Sequence, residues 1–221
     1  MITNTLSRTT ARKVYNRLGQ RLDRAARYET HAKAAALSLL TAHPGERVLH
    51  LGVGTGKEQA QLVQDVSGGG IVVGLDLARE MLSITRQKLL PSAPSILIEG
   101  DATLLPFATA TFDCLFSAYL LDLLPAADLA PTLHEWRRVL RPGGRMVIVT
   151  MTEGIDPASR LLVAWWKARF RMAPATFGGC RPLQLTPLVA EAGFTELQRT
   201  VVLQRGFPSE IIRATTPASP P

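Results

Sequence analysis

The apolar residues near the start of the chain recur at three- and four-residue steps, which is typical of an amphipathic helix. This apolar stripe consists of Ala11, Val14, Tyr15, Leu18, Leu22 and Ala25. A second helix is predicted over residues 34–40 and should end before Pro44 and Gly45, a pair that stops helices. The chain is therefore expected to begin with helices rather than strands.

After Gly45 short apolar strands alternate with amphipathic helices. Strands are predicted over residues 47–51, 71–75, 95–98, 112–117 and 145–151. Helices are predicted over residues 57–66, 78–90 and 128–140. This β-α-β-α order is typical of an α/β fold in which a parallel sheet carries helices on both faces.

The C-terminal part of the chain departs from this alternation. The predicted elements there are a helix over residues 158–171 and two neighbouring strands over residues 196–203 and 209–215. A short helix is predicted between the helix over residues 158–171 and the first of these strands. Its N-cap is Thr186, Pro187 takes its first position, and Gly193 lies just past its end.

A length of 221 residues suits one domain with a small addition. We expect three parts: an N-terminal helical cap over residues 1–44, an α/β domain over residues 45–216, and a flexible tail over residues 217–221. The two cysteines, Cys114 and Cys180, lack neighbours at metal-binding spacing, so no metal site is predicted.

The first predicted strand runs directly into a glycine-rich loop, with the sequence VLHLGVGTG over residues 48–56. Its glycines are Gly52, Gly54 and Gly56. Glycines allow the backbone to turn tightly and allow a ligand to approach the main chain closely. The loop is therefore a candidate cofactor site.

The spacing of this loop excludes two common phosphate-binding motifs. A P-loop would need glycine at Leu51 and Ser or Thr at Glu58. A dinucleotide fingerprint would need a third glycine at Lys57. The loop therefore favours a cofactor that has no pyrophosphate.

Two acidic residues follow the next two strands. Asp76 ends the second strand, where its carboxylate can accept hydrogen bonds from both hydroxyls of a ribose. Asp101 follows the third strand and can accept a hydrogen bond from an adenine amino group in the same crevice. Because the carboxyl ends of parallel strands share one edge of the sheet, the loop and both acids predict a nucleoside-containing cofactor there.

Five motifs in order resemble the class I S-adenosylmethionine-dependent methyltransferases. They read VLHLGVGTG, GLDLAREML, GDATLLPF, FDCLFSAYLLDLLP and RRVLRPGG, between residues 48 and 144. The most similar group contains ubiquinone/menaquinone C-methyltransferases and bacterial phospholipid N-methyltransferases. The resemblance implies a Rossmann-like, seven-stranded, mostly parallel sheet with a terminal antiparallel strand. It also implies S-adenosylmethionine as cofactor and methyl transfer to a small acceptor, with a phospholipid amine or a quinone favoured.

The same resemblance assigns cofactor contacts to eight residues. At the methionine end these are Gly52, Gly54, Gly56 and Ser117. Asp76 would hold the ribose and Leu77 would pack on the adenine. Asp101 and Ala102 would meet the adenine edge.

One position departs from the family pattern, because His50 stands where an acidic residue usually helps to position the amino-acid part of the cofactor. A neutral imidazole could still accept a hydrogen bond, whereas a histidinium would repel the positive groups of the cofactor. A strand histidine that only packs is the alternative.

Four residues are candidates for binding the methyl acceptor, because they fall in or near segments expected to cap the crevice. They are Tyr15, Tyr28, Tyr119 and Arg181. No catalytic residue is predicted, since methyl transfer from a sulfonium depends mainly on positioning. For each of the four, ordinary packing or solvation is the competing interpretation.

The net charge of +7 is concentrated at the N-terminus, where residues 1–33 contain eight Lys or Arg and two acidic residues. An apolar stripe with an arginine flank can lie on an anionic membrane surface, or can pack on the domain as a cap. Charge confined to one segment makes nucleic acid an unfavoured partner. Without an apolar leader or spanning segment, a cytoplasmic protein with peripheral membrane contact is expected.

Two other functions remain open from the sequence. An RNA or protein methyltransferase could use the basic segment for docking. A catalytically silent cofactor-binding scaffold is the third hypothesis, because His50 replaces the usual acid.

Overall fold

A computed structural model describes residues 6–19, 26–172 and 179–218. The parts of the predictions that concern Leu22, Ala25 and residues 219–221 lie outside these ranges. Within them, no helix combines the length and the apolar character needed to span a bilayer.

The described helices and strands follow the predicted α/β alternation. The helices are α1 (Arg8–Leu18), α2 (Thr30–Leu40), α3 (Lys57–Asp65), α4 (Arg79–Lys88), α5 (Ala126–Val139), α6 (Pro157–Met172) and α7 (Thr186–Glu191). The strands are β1 (Arg47–Leu51), β2 (Ile71–Asp76), β3 (Ser95–Glu99), β4 (Phe112–Ala118), β5 (Leu140–Met151), β6 (Thr195–Gln204) and β7 (Phe207–Thr215). Short 3₁₀ turns occupy Ala26–Tyr28 and Leu121–Leu123.

The seven strands form one sheet in the order β3-β2-β1-β4-β5-β7-β6. All described pairs are parallel except those of β7, which runs antiparallel to β5 and β6. The predicted seven-stranded, mostly parallel sheet with a terminal antiparallel strand is confirmed. The strand order reverses between β1 and β4, and ligands of such sheets bind at this switch point.

Alternating side chains along the strands build an apolar core on each face of the sheet. On β1, Leu49 and Leu51 belong to the core on the side of α5 and α7, whereas Val48 belongs to the core on the side of α2 and α3. Trp136 of α5 and Leu62 of α3 are fully buried in these two layers. The rigid sheet therefore holds the end of β1 in a fixed place.

The two N-terminal helices differ in how they pack. No side chain of α1 is buried, whereas α2 buries Ala32, Ala36 and Leu40 in one of the two cores. Residue 30 begins α2 four residues before the predicted start. Within the predicted cap, α2 thus forms part of the packed domain and α1 lies on its surface.

The structure corrects two further predictions, the start of β5 and the N-cap of α7. β5 begins at Leu140 rather than at Arg145, because Leu140 pairs with Phe112 before the register shifts. The N-cap of α7 is Leu185 rather than Thr186. The Thr186 hydroxyl lies 3.4 Å from the Oε1 of Glu210 and donates to that carboxylate instead of capping the helix.

Candidate active site

A cavity of about 450 Å³ lies at the carboxyl ends of β1, β2 and β4. The glycine-rich loop and the start of α3 form its floor, and α1 with the Ala26–Tyr28 turn covers it. The cavity therefore occupies the switch point of the sheet, where the strand-end residues were expected to meet.

The glycine-rich loop needs glycine at two positions for steric reasons. Gly52 has a φ of 73°, and a Cβ there would lie 2.8 Å from Cδ1 of Leu120. Gly56 has a φ of 83°, and a Cβ there would lie 2.6 Å from Oγ1 of Thr85. Side chains would strain the loop at both positions. Gly52 and Gly54 line the cavity, whereas Gly56 packs against α4 behind the loop.

Asp76 organises the polar wall of the cavity. Its Oδ2 accepts a hydrogen bond from the Gly54 N–H at 2.9 Å, and its Oδ1 accepts one from the Ala78 N–H at 2.8 Å. Burial raises the pKa of Asp76 to about 6, although these backbone donors favour the ionised form. Each carboxylate oxygen keeps a second lone pair, which fits the hydroxyls of a ribose. Leu77 lines the cavity beside it.

Asp101 and Ala102, which the family resemblance assigned to the adenine edge, line the same wall. The Oδ1 of Asp101 accepts hydrogen bonds from the N–H and hydroxyl of Thr103, at 2.9 and 2.8 Å. Its Oδ2 pairs with Nε of Arg8 at 2.9 Å. The carbonyl of Ala102 accepts a hydrogen bond from Nε1 of Trp136 at 2.8 Å. This part of the cavity wall is thus tied to both α5 and α1.

Two further predicted residues lie behind the cavity wall. Ser117 is buried in the sheet, and its hydroxyl donates to the carbonyl of Leu51 at 3.0 Å. Arg181 is also buried, and its Nη2 donates to the carbonyl of Leu124 at 2.6 Å. Ser117 and Arg181 therefore support lining segments rather than line the cavity themselves.

His50 lines the cavity as a neutral imidazole. Its Nδ1 donates to Oε1 of Gln59 at 2.8 Å, because the Gln59 amide nitrogen donates to the Ser95 hydroxyl at 2.9 Å. Burial lowers the pKa of His50 to about 4. The repulsive histidinium considered from the sequence is therefore absent at neutral pH. Gln59 was not predicted, because its contact with His50 depends on a second hydrogen bond to Ser95 of β3, which is distant in sequence.

An ionic cluster that the sequence analysis missed lines the cavity beside the glycine-rich loop. Nζ of Lys33 lies 3.0 Å from Oε2 of Glu29 and 3.8 Å from Oε1 of Glu58. Burial alone would lower the pKa of Lys33, but the two carboxylates hold it above its ordinary value. The four-residue spacing of Glu29 and Lys33 was the available signal, since such pairs meet on a helix. We call these three residues the Lys33 cluster.

All three tyrosines predicted for the acceptor side line the cavity. Tyr15 projects from α1 and packs against the cluster of Ala78, Met81 and Ile84. The hydroxyl of Tyr119 shares a hydrogen bond of 2.6 Å with the Ser209 hydroxyl. The Tyr28 hydroxyl accepts a hydrogen bond from Nη2 of Arg27 at 2.9 Å. The structure thus brings residues from three separate segments to one space.

The α1 helix closes the cavity through its apolar stripe. Ala11, Tyr15 and Leu18 are cavity-lining residues. The helix is attached by ion pairs from Arg8 to Asp101 and Asp128 and from Arg12 to Glu99, all at the surface. The described part of the stripe therefore faces the site rather than the solvent.

Comparison with known proteins agrees with the features of this site. Residues 48–144 match the family model described as a methyltransferase domain. The chain is 33% identical over 147 residues to a ubiquinone/menaquinone biosynthesis C-methyltransferase from Nitrosospira multiformis, covering 66% of this chain and 58% of that relative. It is 31% identical over 151 residues to a 2-phytyl-1,4-naphthoquinone methyltransferase from Synechococcus elongatus, covering 67% of this chain and 64% of that relative.

The fold is also similar to the crystal structure of a S-adenosylmethionine-dependent methyltransferase from Aquifex aeolicus. The TM-score is 0.64 at 18% identity, over 95% of this chain and 98% of that chain. The chain spans less than two thirds of the length of the two quinone-modifying relatives.

The sheet order, the glycine-rich loop and Asp76 define a Rossmann-like domain that binds a nucleoside-containing cofactor. The family match and the relatives narrow this class to the S-adenosylmethionine-dependent methyltransferases, whose domain model matches residues 48–144 of this chain. The cofactor predicted from the motifs is confirmed. The acidic and glycine residues that line the cavity fit the nucleoside part of this cofactor.

Proposed function

We propose that this protein transfers a methyl group from S-adenosylmethionine to a small lipophilic acceptor with a quinone-type ring in its reduced form. The observation that carries this proposal is the apolar part of the cavity lining. It consists of Leu6, Leu18, Leu123, Leu124, Trp166 and Phe207. An apolar pocket beside the polar residues of the cofactor site suits an apolar ring better than a charged headgroup.

The residues around the cavity are suited to positioning rather than to acid–base chemistry. When bound, S-adenosylmethionine supplies an electrophilic methyl group, which leaves sulfur as a thioether when the acceptor takes the methyl and releases a proton. The apolar wall and α1 exclude water from this space, and fixing the acceptor in line can supply much of the rate. Tyr15 and Tyr119 border the space and would contact the acceptor.

The named relatives support the acceptor class. One modifies ubiquinone or menaquinone precursors by its name, and the other a phytyl naphthoquinone. Both relatives are more than 30% identical to this chain over the aligned residues.

Labelled S-adenosylmethionine and a panel of acceptors test the proposal. We expect label in a reduced, short-chain demethylnaphthoquinone, and little label in phosphatidylethanolamine, RNA or protein. Leu18→Asn should raise the KM for the naphthoquinol about tenfold, because it places a polar group in the apolar wall. Leu90→Asn, at a side chain that is 75% exposed and outside the cavity, is the matched control and should leave KM unchanged.

The other outcomes identify the alternatives. Label in phosphatidylethanolamine alone would assign a phospholipid amine as the acceptor. Label in RNA or protein would favour the docking role of the basic segment. Tight cofactor binding with no labelled product in any arm would favour the silent scaffold.

We also propose that the protein contacts an anionic membrane surface through α6. A lipophilic acceptor dissolved in that membrane could then enter the cavity. Three apolar side chains form one exposed stripe on this helix: Leu161, Trp165 and Met172, at 74%, 52% and 72% exposure. Exposed arginines flank the stripe on both sides at positions 160, 169 and 171. The opposite face of α6 carries Trp166, which lines the cavity.

Sedimentation with vesicles tests this contact. Vesicles containing phosphatidylserine should retain the protein at low salt, and high salt should release it. Changing Arg160, Arg169 and Arg171 to Glu should abolish retention, because each basic residue near such a surface contributes about 1 kcal/mol. The matched control changes Lys13 and Arg17 of α1 to Glu and should leave retention unchanged. Equal binding to neutral vesicles, or none to either kind, would contradict the proposal.

A further inference from the structure

The most unusual feature of the cavity is the Lys33 cluster, because charged side chains are rarely buried and need partners when they are. The side chains of Glu29, Lys33 and Glu58 are each at most 20% exposed. All three line the cavity, next to the glycine-rich loop. Glu58 stands in the first turn of α3, two residues after that loop ends.

Lys33 retains capacity to bind an anion. An ammonium group has three donors. Among the described residues, Glu29 alone lies within hydrogen-bonding distance of Nζ, whereas the contact to Glu58 is 3.8 Å long. The ring of Tyr119 lies 5.6 Å from Nζ and holds the amine on the cavity side. Glu58 therefore interacts with Lys33 more weakly than Glu29 does.

His50 adds a neutral acceptor to the same wall. Its Nδ1 is hydrogen-bonded to Gln59, and no described residue provides a hydrogen-bond partner for Nε2. The side chain is 1% exposed and borders the cavity. A buried imidazole nitrogen with a free lone pair fits a donor such as an alkylammonium group.

We propose that the Lys33 cluster binds the amino-acid end of S-adenosylmethionine, with Lys33 on the α-carboxylate and Glu58 on the α-ammonium group. Glu29 positions Lys33, and Nε2 of His50 accepts a hydrogen bond from the same ammonium group. The cluster thereby supplies the negative charge that the imidazole at position 50 lacks.

Charge balance supports this arrangement. Two carboxylates and one ammonium give the cluster a net charge of −1, whereas S-adenosylmethionine carries a zwitterion and a sulfonium. The ion pairs would be shielded from water by α1 and the apolar wall, where charge-assisted hydrogen bonds are strong.

Calorimetry with truncated ligands tests the assignment without any acceptor. The probes are S-adenosylhomocysteine, its decarboxylated analogue, and 5′-methylthioadenosine, which lacks the amino-acid end. Lys33→Met should weaken binding of S-adenosylhomocysteine about tenfold and leave the other two ligands within twofold. Lys33→Arg, which keeps the charge, should restore most of the affinity.

Glu58→Gln should give a different pattern. It should weaken S-adenosylhomocysteine and the decarboxylated analogue by about tenfold, since both carry the ammonium group, and leave 5′-methylthioadenosine unchanged. Lys167→Met removes a comparable lysine–glutamate pair, to Glu153 at 2.5 Å, outside this cavity and is the matched control. Equal loss for all three ligands would show a structural role, and no loss for any of them would also overturn the assignment.

Discussion

Asp76→Ala should weaken binding of S-adenosylhomocysteine by about 1.5–3 kcal/mol, or roughly 10- to 150-fold. The carboxylate accepts hydrogen bonds from the N–H groups of Gly54 and Ala78, so it orders the loop. Its remaining lone pairs can accept hydrogen bonds from the ribose. Calorimetry on a variant with an unchanged circular dichroism spectrum measures the loss. Asp65→Ala, at the end of α3, is the matched control.

The same carboxylate predicts how binding depends on pH. Its pKa is raised to about 6 by burial, and the ionised form accepts hydrogen bonds more strongly than the protonated acid. The ligand therefore favours deprotonation, so affinity should rise between pH 5 and 7 and then level off. Calorimetry in buffers of different ionisation enthalpy should detect proton release near pH 6. An affinity that stays constant over this range, or is unchanged in Asp76→Ala, would contradict the ribose assignment.

Local patterns were sufficient to predict most of the parallel strands and the glycine-rich loop, whereas the seven-stranded sheet was predicted from the family resemblance. The bounds of β1 match the predicted strand, because an apolar run between turn residues determines both its length and its end. The position of Asp76 follows from the end of β2 in the same way. Parallel strands bring such ends together whatever the intervening helices contain, so the cofactor side could be located from sequence.

Side-chain direction at the strand ends was harder to predict. Ser117 stands at the end of β4, close to the crevice in sequence, yet its hydroxyl points back to the carbonyl of Leu51 on the neighbouring strand. A shift of one residue in register reverses the face on which a side chain lies. The sequence defines the strand but leaves this register open.

Contacts between distant segments could not be read from spacing. Arg8 meets Asp101, and Lys33 meets Glu58, across helices whose packing on the sheet decides the geometry. Charge in the N-terminal segment was visible in the sequence, but its partners were not. Arg8 and Arg12 of α1 pair with acidic residues beside the cavity, so these two arginines face the domain.

Removal of residues 1–19 should reduce turnover at least tenfold, about 1.4 kcal/mol of barrier, while the domain stays folded. This deletion removes α1 but keeps Glu29 and the Lys33 cluster intact. The helix has no buried side chain, and its surface ion pairs contribute little to folding, so the melting temperature should change only slightly. Turnover is measured with the acceptor that becomes labelled in the acceptor panel.

A second measurement needs no acceptor. Since Ala11, Tyr15 and Leu18 cover the cavity, their removal should speed the dissociation of S-adenosylhomocysteine by about tenfold in stopped-flow experiments. Full-length protein with Arg8→Met and Arg12→Met should show an intermediate rate, because the helix then loses its ion pairs but keeps its apolar contacts. Arg17→Met, on the same helix, is the matched control.

The pattern across these variants separates a lid from a core element. If α1 only covers the cavity, the truncated protein binds the ligand, melts near the wild-type temperature, and loses turnover because water enters and the acceptor is no longer held in line. If the contacts of Tyr15 with Met81 and Ile84 instead complete the core, truncation lowers the melting temperature steeply and dissociation cannot be measured on folded protein. A truncated protein with full turnover and an unchanged dissociation rate would refute both roles for α1.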